Sequence, residues 1–159
     1  MTFDTLELPQ TPGTYVLIVR VDQPLTLTVG RLGTVELPGG LAAYVGSARG
    51  AGGLRARINR HLRADKPVHW HIDALTALAP VVAIWLRESP ERLECSWAQT
   101  LAALATVPIP RFGSSDCKCP AHLFTLPAGS IPAVWAALGQ PVVISLLGGD
   151  AELNGLAQH

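Results

Sequence analysis

The run Val81-Val82-Ala83-Ile84-Trp85-Leu86 is apolar without a break. A strand carries such a run only in the interior of a sheet, where neither face meets water. Thr14-Tyr15-Val16-Leu17-Ile18-Val19-Arg20-Val21, rich in β-branched residues and opened by the Pro12-Gly13 turn, reads as a second strand. A chain of 159 residues is one domain's worth and long enough to bury such a sheet without staples. Its 48% hydrophobic and 15% charged residues exclude disorder. No apolar run reaches the ~18–20 residues of a membrane span, because Arg20, Arg87 or glycines interrupt the longest ones. The first ten residues carry Asp4 and Glu7 and no basic or apolar block, which speaks against a signal peptide. Three cysteines, an odd number, do not suit a secreted disulfide framework. The expectation is a cytoplasmic single domain with no membrane partner.

Between the two apolar strands, Leu25–Val29 alternates apolar and polar as a half-exposed strand does, and a short strand follows near Thr34–Leu37. Leu41–Val45 is the next strand, so the opening reads as an antiparallel meander. Gly50, Gly52 and Gly53 break the chain before a helix from about Leu54 to Arg63, whose buried stripe is Leu54, Ile58 and Leu62. Arg57 and His61, four apart, share the flank of that stripe. His69–Leu78 is a short helix. Ser89-Pro90 starts another, with Ser89 as the cap and Pro90 at the first position. Leu93, Trp97, Leu101 and Leu104 form its core face, and Glu94 sits at the edge of that face. Pro108–Pro120 reads as a loop, His122–Leu126 as a small strand, Ile131–Leu138 as a helix and Val142–Leu147 as a strand. The resulting domain covers 1–159, with a core of about 12–126, a C-terminal helix and strand over 127–147 and a frayed tail over 148–159. The fold class is α/β, a small, mainly antiparallel sheet flanked by helices.

The zero net charge hides an asymmetry. Arg49, Arg55, Arg57, Arg60, Arg63 and Lys66 stand against Asp65 alone, a local sum of +5, beside a glycine-rich turn. Concentrated positive charge suggests a polyanion partner, although on charge alone a solvated helix face is the simpler account.

Four motifs then occur in order: Gly13-Thr14-Tyr15, Tyr44-Val45-Gly46-Ser47-Ala48, Leu54-x-x-Arg57 with His61, and Glu94 on a later helix. This ordered set resembles the GIY-YIG nuclease superfamily. His69-Trp70-His71-Ile72-Asp73 and Phe112-Gly113-Ser114-Ser115-Asp116-Cys117-x-Cys119 look like a little-characterised prokaryotic branch of it. The resemblance implies that Tyr15 and Tyr44 face a cleft, one of them positioning or deprotonating the attacking water. It implies that Arg57 clamps the scissile phosphate and that His61 assists as proton carrier or phosphate contact. Glu94 would bind one divalent cation, magnesium or manganese. Gly46 would permit close backbone approach, and Gly46, Ser47, Arg49, Arg55, Arg60 and Arg63 would form the DNA-binding surface. Proteins of this kind often act as dimers, so the resemblance allows a homodimer. The chain departs from the family in one respect: Tyr15 and Tyr44 are 29 positions apart, which calls for an extra hairpin or strand between the two tyrosine motifs.

The chemistry is coherent without the family name. A cation held by Glu94 polarises the phosphate and stabilises the leaving oxygen. Arg57 supplies a fixed, always-charged fork for phosphate oxygens. A free tyrosine ionises near ~10, so it serves as a base only with cationic help. His69 and His71 lie two apart and face different sides of a helix, so one of them can serve the cleft as a general acid. His69 is the candidate catalytic residue, with Asp73 four residues on to orient its imidazole. Cys117, Cys119 and His122, with Cys95 or another histidine, offer a zinc site. That is the weaker reading, since Cys-x-Cys-x-x-His is not the common knuckle and small buried thiols account for the pair. The loop can instead contribute Ser115 or Asp116 to the cleft. No Gly-Lys-Ser/Thr follows Gly46–Gly53, which excludes a P-loop, and no Gly-x-Ser-x-Gly elbow supports a serine hydrolase. The expected function is metal-dependent endonuclease cleavage of single-stranded or structured DNA. The alternative is a non-catalytic nucleic-acid-binding module that keeps the fold.

Overall fold

A computed structural model describes residues 7–29, 33–63, 71–104, 107–109, 112 and 121–146. Its elements are β1 (Gly13–Val21), β2 (Leu25–Val29), β3 (Gly33–Leu37), β4 (Gly40–Ala48), α1 (Gly53–Leu62), α2 (His71–Thr76), β5 (Val81–Glu88), α3 (Glu94–Ala103), β6 (Val107–Pro108), β7 (Leu123–Leu126), α4 (Ile131–Ala137) and β8 (Val142–Ser145). Six strands form one sheet in the order β6-β7-β4-β1-β5-β8, and every pairing in it is antiparallel. The α/β class and the mainly antiparallel sheet are as the sequence implies. His69, Cys117, Cys119, Ser115, Asp116 and the tail beyond residue 146 lie outside the described residues.

β1 is interior, with β4 on one side and β5 on the other. Strand alternation sends its side chains to two different layers. Tyr15, Leu17 and Val19, with Ala42 and Tyr44 of β4 and Ile84 and Leu86 of β5, pack under Leu54 and Ile58 of α1 and Ile72 and Leu75 of α2. Val16, Ile18, Ala43, Val45, Ala83 and Trp85 point the other way, against Trp97, Ala98 and Leu101 of α3 and Ile131 and Val134 of α4. Each of the buried valine, leucine and isoleucine side chains among these is worth about 1.5–3 kcal/mol.

The opening is not a meander. β1 pairs directly with β4, while β2 and β3 pair with each other in a separate two-stranded sheet. The burial pattern gives the reason. β4 buries residues on both faces and so fits the interior. β2 and β3 bury only Leu27, Val29, Val35 and Leu37, one face of a ribbon whose other face is polar and exposed. The hairpin lays that apolar face on the α1–α2 side of the core and absorbs the 29-position separation of the two tyrosines.

α3 begins later than its sequence suggests. Ser89 Oγ accepts the Glu91 N–H at 3.0 Å and closes a turn, and Leu93, with no side-chain cap bond, occupies the cap position. Glu94 is therefore the first helical residue. It lies three and seven positions before Trp97 and Leu101, in line with the buried stripe rather than at its edge. A carboxylate in a helix's first turn is also favoured by the helix dipole.

Candidate active site

Two tyrosines meet on the α1 side of the sheet. Across the β1–β4 pair, Tyr15 stands opposite Gly46, and Leu17 stands opposite Tyr44. A Cβ on Gly46 would run into Cζ and Oη of Tyr15, so the close approach that this glycine permits is that of the phenol ring. Gly13 does similar service, since a Cβ there would meet the Arg87 carbonyl and the Leu54 side chain of α1.

α1 lays His61 over both phenols. The His61 ring lies 5.5 Å from the Tyr15 ring and 6.2 Å from the Tyr44 ring, centroid to centroid. Its Nε2 is 2.7 Å from Tyr15 Oη. His61 is buried more deeply than Leu62, so the helix turns its Leu54-Ile58-His61 line inward, positions 0, 4 and 7 of the stripe. One turn before His61, Arg57 is half-buried and donates from a guanidinium nitrogen to the Ser47 carbonyl at 3.0 Å, tying α1 to the end of β4.

Burial holds the Tyr15 phenol well above its ordinary range, with the nearby Tyr44 charge adding to the effect; the charge and hydrogen bonding of Arg57 oppose it, and Glu94 raises it further. Burial likewise raises Tyr44, reinforced by the negative charges of Glu94 and Asp73 and opposed by Arg57. Both phenols are thus neutral at ordinary pH. A protonated Tyr15 has an O–H to donate to Nε2, and a neutral imidazole that accepts it carries its own proton on Nδ1. The same couplings put Arg57 and Glu94 within electrostatic reach of both tyrosines.

Glu94 reaches this end of the sheet from α3. Its carboxylate is 3.2 Å from Nδ1 of the buried His122, with 29% of the Glu94 side chain exposed. His122, a candidate zinc ligand in the sequence, thus adjoins a carboxylate; its candidate partners Cys117 and Cys119 lie outside the described residues. Cys95, the other thiol considered, packs beside the α3–α4 core.

Among the described residues, the arginines of the basic stretch lie on different sides of α1 and have different partners. Arg55 lies on the opposite flank of α1 from Arg57 and pairs with Glu7 at 3.3 Å. Arg60 makes a two-pronged pair with Asp73 at 3.1 and 3.2 Å, and the Asp73 side chain is fully buried. Arg49 donates to the Pro90 carbonyl at 2.7 Å, linking the β4–α1 turn to the segment before α3. Arg63 is exposed at the C-cap of α1. The guanidinium fork of Arg60 stabilises this buried carboxylate; the expected role of Asp73 in orienting His69 involves a residue outside the described ones.

Two further rings adjoin the cluster: Phe112, to which the sequence assigns no role of its own, and His71, one of the two histidines considered there as a general acid. Phe112 lies edge-on to Tyr44, and the ring of His71, the first residue of α2, lies edge-on to Phe112. The signal for Phe112 was its place at the head of a glycine- and cysteine-bearing motif, and that for His71 its place in the His69-Trp70-His71 pair.

The fold and site define a class: an antiparallel α/β domain with a phenol–imidazole pair, an arginine and a carboxylate gathered at one end of the sheet. The family model described as Domain of unknown function DUF123 matches residues 14–138, and the chain belongs to that family. No curated protein and no solved structure matches the chain. Among the described residues, no helix is long and apolar enough to cross a membrane.

Proposed function

We propose that this domain is a divalent-metal-dependent DNA endonuclease of the GIY-YIG type, acting on single-stranded or structured DNA. The observation that carries the reading is the 2.7 Å contact between Tyr15 Oη and His61 Nε2, with Arg57 and Glu94 acting on the same phenol. Phosphodiester hydrolysis needs a proton acceptor for water, a cation against the phosphate and help for the leaving oxygen. Tyr15 and His61 supply the first. As water attacks phosphorus, its proton passes to Tyr15 Oη while the phenol proton passes to His61 Nε2, so a phenol with a raised pKa never has to stand as a free anion. The P–O bond to the leaving oxygen breaks, and that oxygen takes its proton from solvent. Arg57, one turn away, would set its guanidinium against the phosphate oxygens.

Glu94 is the residue that would hold the cation. A partly exposed carboxylate beside an imidazole suits magnesium or manganese, which take one or two protein carboxylates together with waters and substrate phosphate. Among the described residues, no three His, Cys, Asp or Glu side chains gather into a cage. The bound cation supplies charge stabilisation at the phosphate and the leaving oxygen.

One observation favours the alternative of a binding module without turnover: Tyr15 and His61 are only 1% and 2% exposed. The two readings separate on a panel of labelled single-stranded, flapped, nicked and branched DNAs with magnesium, manganese or chelator. The nuclease reading expects metal-dependent cutting that Glu94→Ala abolishes while binding persists. Binding without cutting on every substrate, with an affinity that falls with salt, gives the domain to the alternative. Cutting that survives Glu94→Ala removes the cation from that residue.

A further inference from the structure

Phe112 stands where the two halves of the site meet. It is fully buried. Its ring is 6.3 Å from Tyr44 at an interplanar angle of 79°, and 5.6 Å from His71 at 66°. Its carbonyl accepts the His122 N–H at 2.8 Å, and its own N–H donates to the Ile109 carbonyl at 3.2 Å. His122 in turn adjoins Glu94 at 3.2 Å and passes its carbonyl to the Val45 N–H of β4 at 2.8 Å. One residue therefore touches the tyrosine–imidazole cluster through its ring and fixes the residue beside Glu94 through its backbone.

We propose that Phe112 is a positioning residue that keeps Tyr44 and His71 in register with the Glu94–His122 pair. The geometric part stands on these contacts, and its consequence for turnover rests on the nuclease reading. Edge-to-face contacts are directional: the positive rim of one ring meets the negative face of the next, so Phe112 sets ring angles as well as filling volume. An aliphatic side chain of similar size fills the space without setting those angles. In a site whose parts come from β1, β4, α1, α3 and Phe112, a displacement of about 1 Å can cost a factor of about 100 in rate.

The test uses the fact that the chain has two tyrosines, both in the site, so tyrosinate absorbance reports on nothing else. Phe112→Leu is compared with Leu101→Val, which thins the core on the α3 side without touching the site. Phe112→Met replaces Phe112→Leu if the latter does not fold. We expect tyrosinate to form in Phe112→Leu at a pH where circular dichroism still reads a native fold. In the parent chain and Leu101→Val it should form only with unfolding. We also expect kcat to fall about tenfold or more with KM within about threefold, the mark of a lost transition-state arrangement. Tyrosinate that forms only with unfolding in all three proteins overturns the proposal, as does a kcat in Phe112→Leu equal to that of Leu101→Val. Early tyrosinate in Phe112→Leu, with no DNA cut by any of the three proteins, upholds the positioning role and removes the nuclease reading instead.

Discussion

Val16, Ile18, Val45 and Trp85 leave one face of the sheet into a cluster of apolar side chains from α3 and α4, whereas Tyr15 and Tyr44 leave the other face to meet His61 and Arg57. The same strands supply both layers, one residue out of phase. The first layer does what folding requires. The second buries two phenols, an imidazole and the Asp73 carboxylate, groups that lose hydration on burial and must recover it through partners. A sheet that can make an apolar layer on one side and keeps a titratable one on the other has given up stability where those groups converge. Strongly shifted groups at one end of a sheet are where chemistry is to be sought.

The largest expected effects separate the two faces. Trp97→Ala, on the apolar side, should cost about 3–5 kcal/mol in denaturant unfolding and, on the nuclease reading, leave cleavage by the folded fraction intact. On the nuclease reading, Arg57→Ala should lower single-turnover cleavage about 100-fold or more and shift stability by no more than about 1 kcal/mol. An Arg57→Ala protein as unstable as Trp97→Ala would make that arginine part of the scaffold and erase the contrast.

Next in size is the pair joining α1 to α2. Asp73→Ala leaves Arg60 without its buried partner and should cost about 3 kcal/mol. Arg60→Met combined with Asp73→Leu should recover much of that loss, because an apolar pair of similar volume has no desolvated charge to satisfy. A double-mutant cycle reads the difference.

How legible this was in the sequence depends on the range of the interaction. The strands around Thr14 and Val81 and the Leu54-Ile58 stripe were readable because their signals repeat within a few residues. The His61–Tyr15 contact was half readable: helical spacing put His61 beside Arg57, but only the packing of α1 on β1 brings its ring to the phenol. The direct β1–β4 pairing was hidden, since Leu25–Val29 and Thr34–Leu37 are good strands whose partner the local pattern does not specify. Ser89-Pro90 has the chemistry of a helix start, and Ser89 spent its hydroxyl on a turn four residues early instead. Arg60 and Asp73 are 13 positions apart on different helices, and nothing in the sequence sets the angle at which those helices meet.

The pH dependence follows from the two phenols. Their folded pKa values lie above the unfolded value of about 10, so the native state holds its phenolic protons more tightly than the unfolded chain does. The sign is then fixed. This contribution is fully present below about pH 10 and is lost as pH rises from there toward the folded values. The slope approaches about 1.4 kcal/mol per pH unit for each phenol. Unfolding free energy measured from pH 8 upward should stay level in this respect and then fall, and Tyr15→Phe should flatten the fall. An unchanged slope in Tyr15→Phe would mean that its phenol ionises in the native state like an exposed one.

The smallest effect is expected on the far flank of α1. Arg55 pairs with Glu7, but the Glu7 side chain is 87% exposed, and an ion pair in water is worth about 0–1 kcal/mol. Arg55→Ala should therefore change stability by less than about 0.5 kcal/mol, against the larger loss for Asp73→Ala at the other arginine pair of the same helix. Its effect on DNA affinity is the more informative number. Arg55 lies on the flank turned away from Arg57, so a nucleic acid engaged at the tyrosine site should bind Arg55→Ala about as well as the parent chain, with an unchanged salt slope. A clear loss of affinity with a shallower slope would mean that the strand wraps around both sides of α1. Arg55 and Arg57 would then act as one surface although they lie on opposite flanks of α1.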